Sequence, residues 1–220
     1  MSRVHVLVEG QTEETFIRDV VAPHLLSFGI YLHNTILKTK RVANAPDHAG
    51  GVTSYQRFKN DLTRLLNDSD VVAVTTFLDF YGLPTDFPGR NLMPTGDCFT
   101  RVAHVENQIS IDINHHKFIP FLALHEFEAL LFVEPDIIGE AIPTFNAVTE
   151  LYSIRNSFNS PEEINDSPLT APSKRLIKIF GSSYQKTLHG PLITNVIGLD
   201  KIRQECSHFN DWLTKLESLA

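Results

Sequence analysis

Five carboxylates, Glu9, Glu13, Asp79, Glu126 and Glu128, stand at or just beyond the ends of short apolar runs. The run 4–8 ends on Glu9, and Glu13 follows about one helical turn later. The run 71–78 ends on Asp79, and 118–124 leads into His125-Glu126 and then Glu128. If these runs are neighbouring strands, all five acids converge on one place. Bare, they would repel one another and take up protons. Mg²⁺ or Mn²⁺ would remove that repulsion, because both ions favour oxygen ligands. Two such ions about 3.5–4 Å apart are a recurrent device for phosphodiester hydrolysis. Any one of these acids alone reads more readily as a solvated or helix-capping residue. Their joint placement at three strand ends is what points to a site.

Positive charge for such a site has to come from a few positions. Pro172-Ser173-Lys174-Arg175 opens a predicted helix, with Lys178 a turn beyond Lys174. Lys174 is the candidate for offsetting charge on a scissile phosphate. Arg175 and Lys186 are further substrate-binding candidates, with His189 beside them, although a solvated basic face explains the first cluster equally well. Lys38, Lys40, Arg41 and His48 form a local basic patch before Gly50-Gly51.

The elements that must position these residues alternate in type. A buried strand is predicted over 4–8. Thr12 is expected to cap the helix that follows, with Glu13 and Glu14 matching its dipole, a kink at Pro23 and a stop at Gly29. A second strand is expected near 35–38 and a helix over 55–66. A central strand covered on both faces should span 71–78, followed by a loop over 82–96 and a helix over 102–111. Residues 118–124 read as another buried strand and 199–219 as one helix, with Ile202, Cys206, Phe209, Leu213 and Leu216 on one face. Strands alternating with helices imply an α/β layer fold with a mainly parallel central sheet flanked by helices. Ligands bind such sheets at the carboxyl ends of the strands. The expected organisation is a core over 1–135 with a helical C-terminal extension over 136–220 packed on it as one compact unit.

Composition limits the alternatives. The chain has 220 residues, 42% of them hydrophobic, enough to bury a core without covalent staples. Nineteen basic residues against 26 acidic ones leave a net charge of −7, which argues against gripping nucleic acid by bulk positive charge. Cys98 and Cys206 build neither a disulfide framework nor a four-sulfur zinc site. His125-Glu126 lacks the second histidine of a zinc-protease helix, since Ala129 stands there, and no Gly-x-Ser-x-Gly elbow or dinucleotide fingerprint is present. No apolar stretch reaches membrane-spanning length, so a soluble, cytoplasmic protein is expected.

Several motifs also resemble those of known families. Val8-Glu9-Gly10-Gln11-Thr12-Glu13 resembles the opening motif of TOPRIM domains, especially those of the OLD-family (overcoming lysogenization defect) nucleases. Leu78-Asp79-Phe80-Tyr81-Gly82 sits where those domains carry Asp-x-Asp. His125-Glu126-Phe127-Glu128-Ala129-Leu130-Leu131 resembles the element that gives the OLD group its further metal ligands. The whole chain is more closely similar to the bacterial domain-of-unknown-function family 4276. The matching elements are Gly50-Gly51, Asp79-Phe80-Tyr81-Gly82-Leu83-Pro84, His125 to Phe132, Ala171-Pro172-Ser173-Lys174-Arg175 and Ile202-Arg203.

The resemblance implies a TOPRIM-like fold in which Glu9 and Asp79 hold one metal ion and Glu13, Glu126 and Glu128 the other. Glu9 and Lys174 would be the catalytic residues of a Mg²⁺- or Mn²⁺-dependent nuclease acting on DNA or RNA. It further implies a separately encoded ATPase partner in a defence-type system. Tyr81 replaces the second aspartate of Asp-x-Asp and is a poor Mg²⁺ ligand, which weakens one metal position. The rival expectation is therefore a TOPRIM-derived regulatory subunit that binds an ATPase without catalysis; primase activity is a weaker alternative.

Overall fold

Alternation along two strands sets up the layers. In β1 (Ser2–Val8), Val4, Val6 and Val8 face one apolar cluster while Leu7 faces a second. The computed structural model, which describes residues 1–37, 52–165, 167 and 169–220, places that strand inside a wholly parallel sheet. After β1 the chain runs through α1 (Gln11–Phe16), a wider π-type turn over Ile17–Val21 and α2 (Ala22–Ser27) into β2 (Ile30–Ile36). Next come α3 (Tyr55–Leu66), β3 (Ala73–Asp79) and α4 (Cys98–Ile113). Two short strands follow, β4 (Phe118–Ile119) and β5 (Leu122–Ala123).

Strand order is β2-β1-β3-β4, with β5 continuing along β3 beyond β4. β3 is buried along its whole length. Ala73 and Phe77 join the cluster of α1 and α2, whereas Val74 and Leu78 join that of α3 and α4, so helices cover both faces. The first cluster also takes in Ile138, Leu151, Leu176, Ile193, Phe209 and Trp212, so one core runs through residues on both sides of position 135.

The remaining elements described are helical: a 3₁₀ segment (Phe127–Val133), α5 (Pro135–Ala141), α6 (Ala147–Arg155), α7 (Pro172–Phe180), α8 (Lys186–Ile197), α9 (Leu199–Glu205) and α10 (Ser207–Glu217), with short 3₁₀ turns between some of them. Among the described residues no helix is long and apolar enough to cross a membrane.

The structure departs from the sequence expectations at several places. Gly10, not Thr12, is the residue before the first helix; Thr12 is buried in the first turn. The helix irregularity comes as the π-type turn just ahead of Pro23, and Pro23 itself sits in the first turn of α2, where its missing N–H costs nothing. β2 begins at Ile30 rather than near 35. It is an edge strand covered on one side, with Ile30 and Leu32 buried and Tyr31 and His33 exposed, so it shows no continuous apolar run.

The strand expected over 118–124 is split at Pro120, which has no N–H for the ladder. The Thr76 hydroxyl repairs the gap, accepting from the Phe121 N–H at 2.9 Å and donating to the Phe121 carbonyl at 2.8 Å. Finally, the expected C-terminal helix breaks at Cys206, because the buried Glu162 carboxylate accepts the N–H groups of His208 and Phe209 at 3.0 Å each and starts a new helix there.

The basic patch of Lys38, Lys40, Arg41 and His48 and the Gly50-Gly51 element lie outside the described residues.

Candidate functional site

β1 leads outward to β2 through helices on one face, and β3 leads the opposite way to β4 through α4 on the other face. The chain therefore reverses its winding between β1 and β3. In open parallel sheets the crevice beyond the carboxyl ends at such a switch point is where ligands bind. Glu9 and Asp79 stand at those two ends. β5 pairs in parallel with the end of β3 (Asp79 opposite Ala123), and the pairing continues from Tyr81 N–H to the His125 carbonyl at 2.9 Å. This carries Glu126 and Glu128 to the same edge.

Local hydrogen bonds aim each acid. Glu9 Oε2 accepts the Asp79 N–H at 3.1 Å, which ties the ends of β1 and β3 together. Asp79 Oδ1 accepts the Phe127 N–H at 2.8 Å. Glu13 is buried in the first turn of α1 and folds back over Gly10, where an added Cβ would lie 3.2 Å from Glu13 Oε2. Glu128 is fully buried; its Oε1 accepts from the Tyr184 hydroxyl at 3.3 Å, and its Oε2 has no hydrogen-bond partner among the described residues. Glu126 turns to α7, with Oε2 taking the Ser173 N–H at 2.8 Å and Oε1 the Ser173 hydroxyl at 3.0 Å. Glu126 thus satisfies a helix N-terminus beside the cluster.

The centre of the cluster is an ammonium. Lys186 Nζ lies 3.3 Å from Glu128 Oε1, 3.5 Å from Glu13 Oε1 and 3.7 Å from Asp79 Oδ2. Lys186 is the first residue of α8, and that helix is packed hard onto α1 and the 3₁₀ segment. A Cβ at Gly190 would come within 2.9 Å of both Phe127 Cε1 and Thr12 Cγ2, so only glycine permits this approach.

Protonation follows from burial and crowding. Burial, then Glu13, pushes the Glu9 carboxyl up to about 7. Burial lifts Asp79 well above the usual range; Lys186 opposes this, while Glu9, Glu13 and Glu128 add to it. Burial and Glu128 likewise raise Glu126 against its bonds to Ser173. Burial by itself would lower Lys186, but Glu128, Asp79, Glu13 and Glu9 outweigh it and hold the ammonium charged.

The site so assembled differs from the sequence expectation in its lysine. Lys186, expected only as a substrate contact, sits among the acids. Lys174 is exposed on α7 beside Ser173 and makes no ion pair among the described residues. Arg175 is tied down locally, donating to the Thr170 carbonyl at 2.7 Å and lying over the Phe158 ring. His189 Nδ1 accepts the Gln185 N–H at 2.9 Å and so braces the start of α8. Ser173, which lies in the helix-opening motif, enters as the partner of Glu126, and Tyr184 enters as the partner of Glu128 with nothing in its local sequence to mark it.

The five acids expected as metal ligands lie at this one edge, with Glu9 bonded to the Asp79 N–H and Glu126 turned to Ser173. Around Lys186 the acids are Glu13, Asp79 and Glu128. Among the described residues no group of three or more acidic, histidine or cysteine side chains is already arranged about a metal position. The donor chemistry nevertheless fits a hard cation, since every acceptor is an oxygen and the buried Glu128 Oε2 is unpartnered.

The sequence model of the family described as "Domain of unknown function (DUF4276)" matches residues 8–217. The chain belongs to that family. The span of the match includes Glu9, Glu13, Asp79, Glu126, Glu128, Lys174 and Lys186. Among solved structures it is similar to the C-terminal region of the Xanthomonas campestris pv. campestris OLD protein. That similarity covers 100% of this chain and 99% of that one, at 18% identity and a TM-score of 0.38. The fold assignment rests on the strand order described above. No curated protein matches the sequence.

Proposed function

We propose that this DUF4276 protein is a Mg²⁺- or Mn²⁺-dependent, TOPRIM-like nuclease that hydrolyses phosphodiester bonds in DNA or RNA. Its proposed partner is a separately encoded ATPase, the partnership implied by the resemblance to OLD-type proteins. The observation that carries this reading is the convergence of Glu13, Asp79 and Glu128 on one ammonium at the switch point of a parallel sheet, with Glu9 bonded to the Asp79 N–H beside them and a buried carboxylate oxygen left over. Glu9, Glu13, Asp79 and Glu128 would hold the cation, with Glu126 at the margin. The ion would supply charge neutralisation and a more acidic water. Lys186, whose ammonium lies among these acids, would offset charge on the phosphate, and exposed Lys174 on α7 would guide the strand.

A second reading has its own observation. Lys186 already neutralises part of the acid cluster, and Tyr81 stands where a further acid would bind metal. The first is seen in the structure and the second is implied by the motif resemblance, and both suit a catalytically silent subunit that regulates the ATPase. One experiment decides. Purified protein with its partner is offered single- and double-stranded DNA and RNA with Mg²⁺ or Mn²⁺. Cleavage should appear and should fall at least tenfold in Asp79→Asn and Glu128→Gln, about 1.4 kcal/mol per decade. Absence of cleavage on every substrate with either ion overturns the nuclease reading in favour of the silent subunit.

A further inference from the structure

The place a divalent ion would take is held by a side chain of the protein itself. Lys186 Nζ stands 3.3–3.7 Å from three carboxylates, each longer than the ~2.7–2.9 Å of a tight charge-assisted hydrogen bond. It sits among them as an ion does, committed to none. Its side chain is 40% exposed although the ammonium reaches carboxylates that are almost wholly buried, so the stem lies along an open route to solvent. Anchoring is confined to the backbone: Gly190 fixes α8 against Phe127 and Thr12, and His189 braces the Gln185 N–H.

One lysine also leaves the site incompletely satisfied. It brings a single positive charge to the neighbourhood of Glu9, Glu13, Asp79 and Glu128, and it does not reach Glu128 Oε2, which is buried without a partner. A ligand with more charge and more coordination positions would satisfy what the ammonium does not.

We propose that Lys186 is a tethered cation that fills the carboxylate site in the metal-free protein and is expelled to the rim when a divalent ion binds. Coexistence at the centre is opposed by electrostatics. Mg²⁺ binds oxygens at about 2.0–2.1 Å, so an ammonium still bound to the same oxygens would lie only a few ångströms from a double positive charge in a poorly screened pocket. Exchange has two consequences. The metal-free protein is protected from the mutual repulsion of its own acids. Metal loading then releases a mobile positive charge at the rim, where an anionic substrate would enter. The inference rests on the metal-binding part of the proposed function and is independent of whether the protein cleaves anything.

Mn²⁺ binding followed by electron paramagnetic resonance tests it on the full chain. Lys186→Met should bind Mn²⁺ at least about tenfold more tightly than the natural protein, because the competing charge is gone, while Lys186→Arg should stay close to the natural protein. Equal or weaker binding by Lys186→Met, with the natural protein binding normally, overturns the tethered-cation role and leaves the metal site standing. No Mn²⁺ binding by either protein overturns both.

A second measurement needs no variant and holds even if Lys186→Met fails to fold. Acylation of lysines in the natural protein, read peptide by peptide by mass spectrometry, should be several-fold faster at Lys186 with saturating Mn²⁺ than with chelator, while Lys178 and Lys215 are unchanged. An unaltered Lys186 rate with Mn²⁺ bound overturns the proposal.

Discussion

Glu9→Gln should flatten the pH dependence of stability in the metal-free protein, and the size of the effect can be worked from the site. The folded Glu9 carboxyl titrates at about 7 against an ordinary value of 4.5, raised by burial and by Glu13. A raised acid favours the protonated form in the folded state. Its contribution is therefore fully present below about 4.5 and is lost as pH rises through about 7. Across that window the folded chain holds about one proton more than the unfolded chain at this residue, so stability falls by about 1.4 kcal/mol per pH unit, or roughly 3 kcal/mol in all. For a chain of this length that is about 6–12 °C in Tm.

Glutamine has nearly the same shape and keeps an amide oxygen to accept the Asp79 N–H, but it does not ionise in this range. Natural protein and variant should therefore have similar stability near pH 4.5, and the variant should be the more stable one by up to about 3 kcal/mol at pH 8.5 in chelator. Some slope remains in both, because Asp79 is also raised. Denaturant unfolding at a series of pH values is the assay. Saturating Mn²⁺ should reverse the order at pH 8.5, since the natural protein gains more from the ion by linkage. Parallel pH profiles for the two proteins in chelator would refute the placement of Glu9 in a buried, mutually repelling cluster.

Two further outcomes test how the site is held. Gly190→Ala places a methyl 2.9 Å from Phe127 and Thr12, so α8 must lift, and the protein should lose about 1–3 kcal/mol in denaturant unfolding with faster acylation of Lys186. Thr76→Val removes the hydroxyl that pairs with both backbone groups of Phe121 and should cost about 2–4 kcal/mol; a loss below 0.5 kcal/mol would mean the strand break is satisfied some other way.

Much of the frame was legible locally. β1, α3 and β3 follow from dense apolar patterns, since a strand buried on both faces or a helix with one apolar stripe writes its period into consecutive residues. The acids were legible for the same reason: they end those runs, and parallel pairing brings the ends of β1, β3 and β5 to one edge. β2 was placed too late because an edge strand needs apolar residues on only one face. The split at Pro120 and the break at Cys206 are not legible locally, because their compensating groups, Thr76 and Glu162, lie more than 40 residues away in sequence.

The choice of lysine belonged wholly to the tertiary structure. Lys174 and Lys186 each stand in the first turn of a helix after an irregular stretch, and nothing within a few residues of either separates them. What separates them is the missing Cβ of Gly190, which lets α8 lie against Phe127 and Thr12 and delivers Lys186 to the acids, while Glu126 holds the start of α7 through Ser173 and leaves Lys174 facing solvent. Helix formation depends on neighbouring residues. Which helix end reaches a given strand edge depends on how closely distant surfaces pack, and a single chain's sequence does not state that.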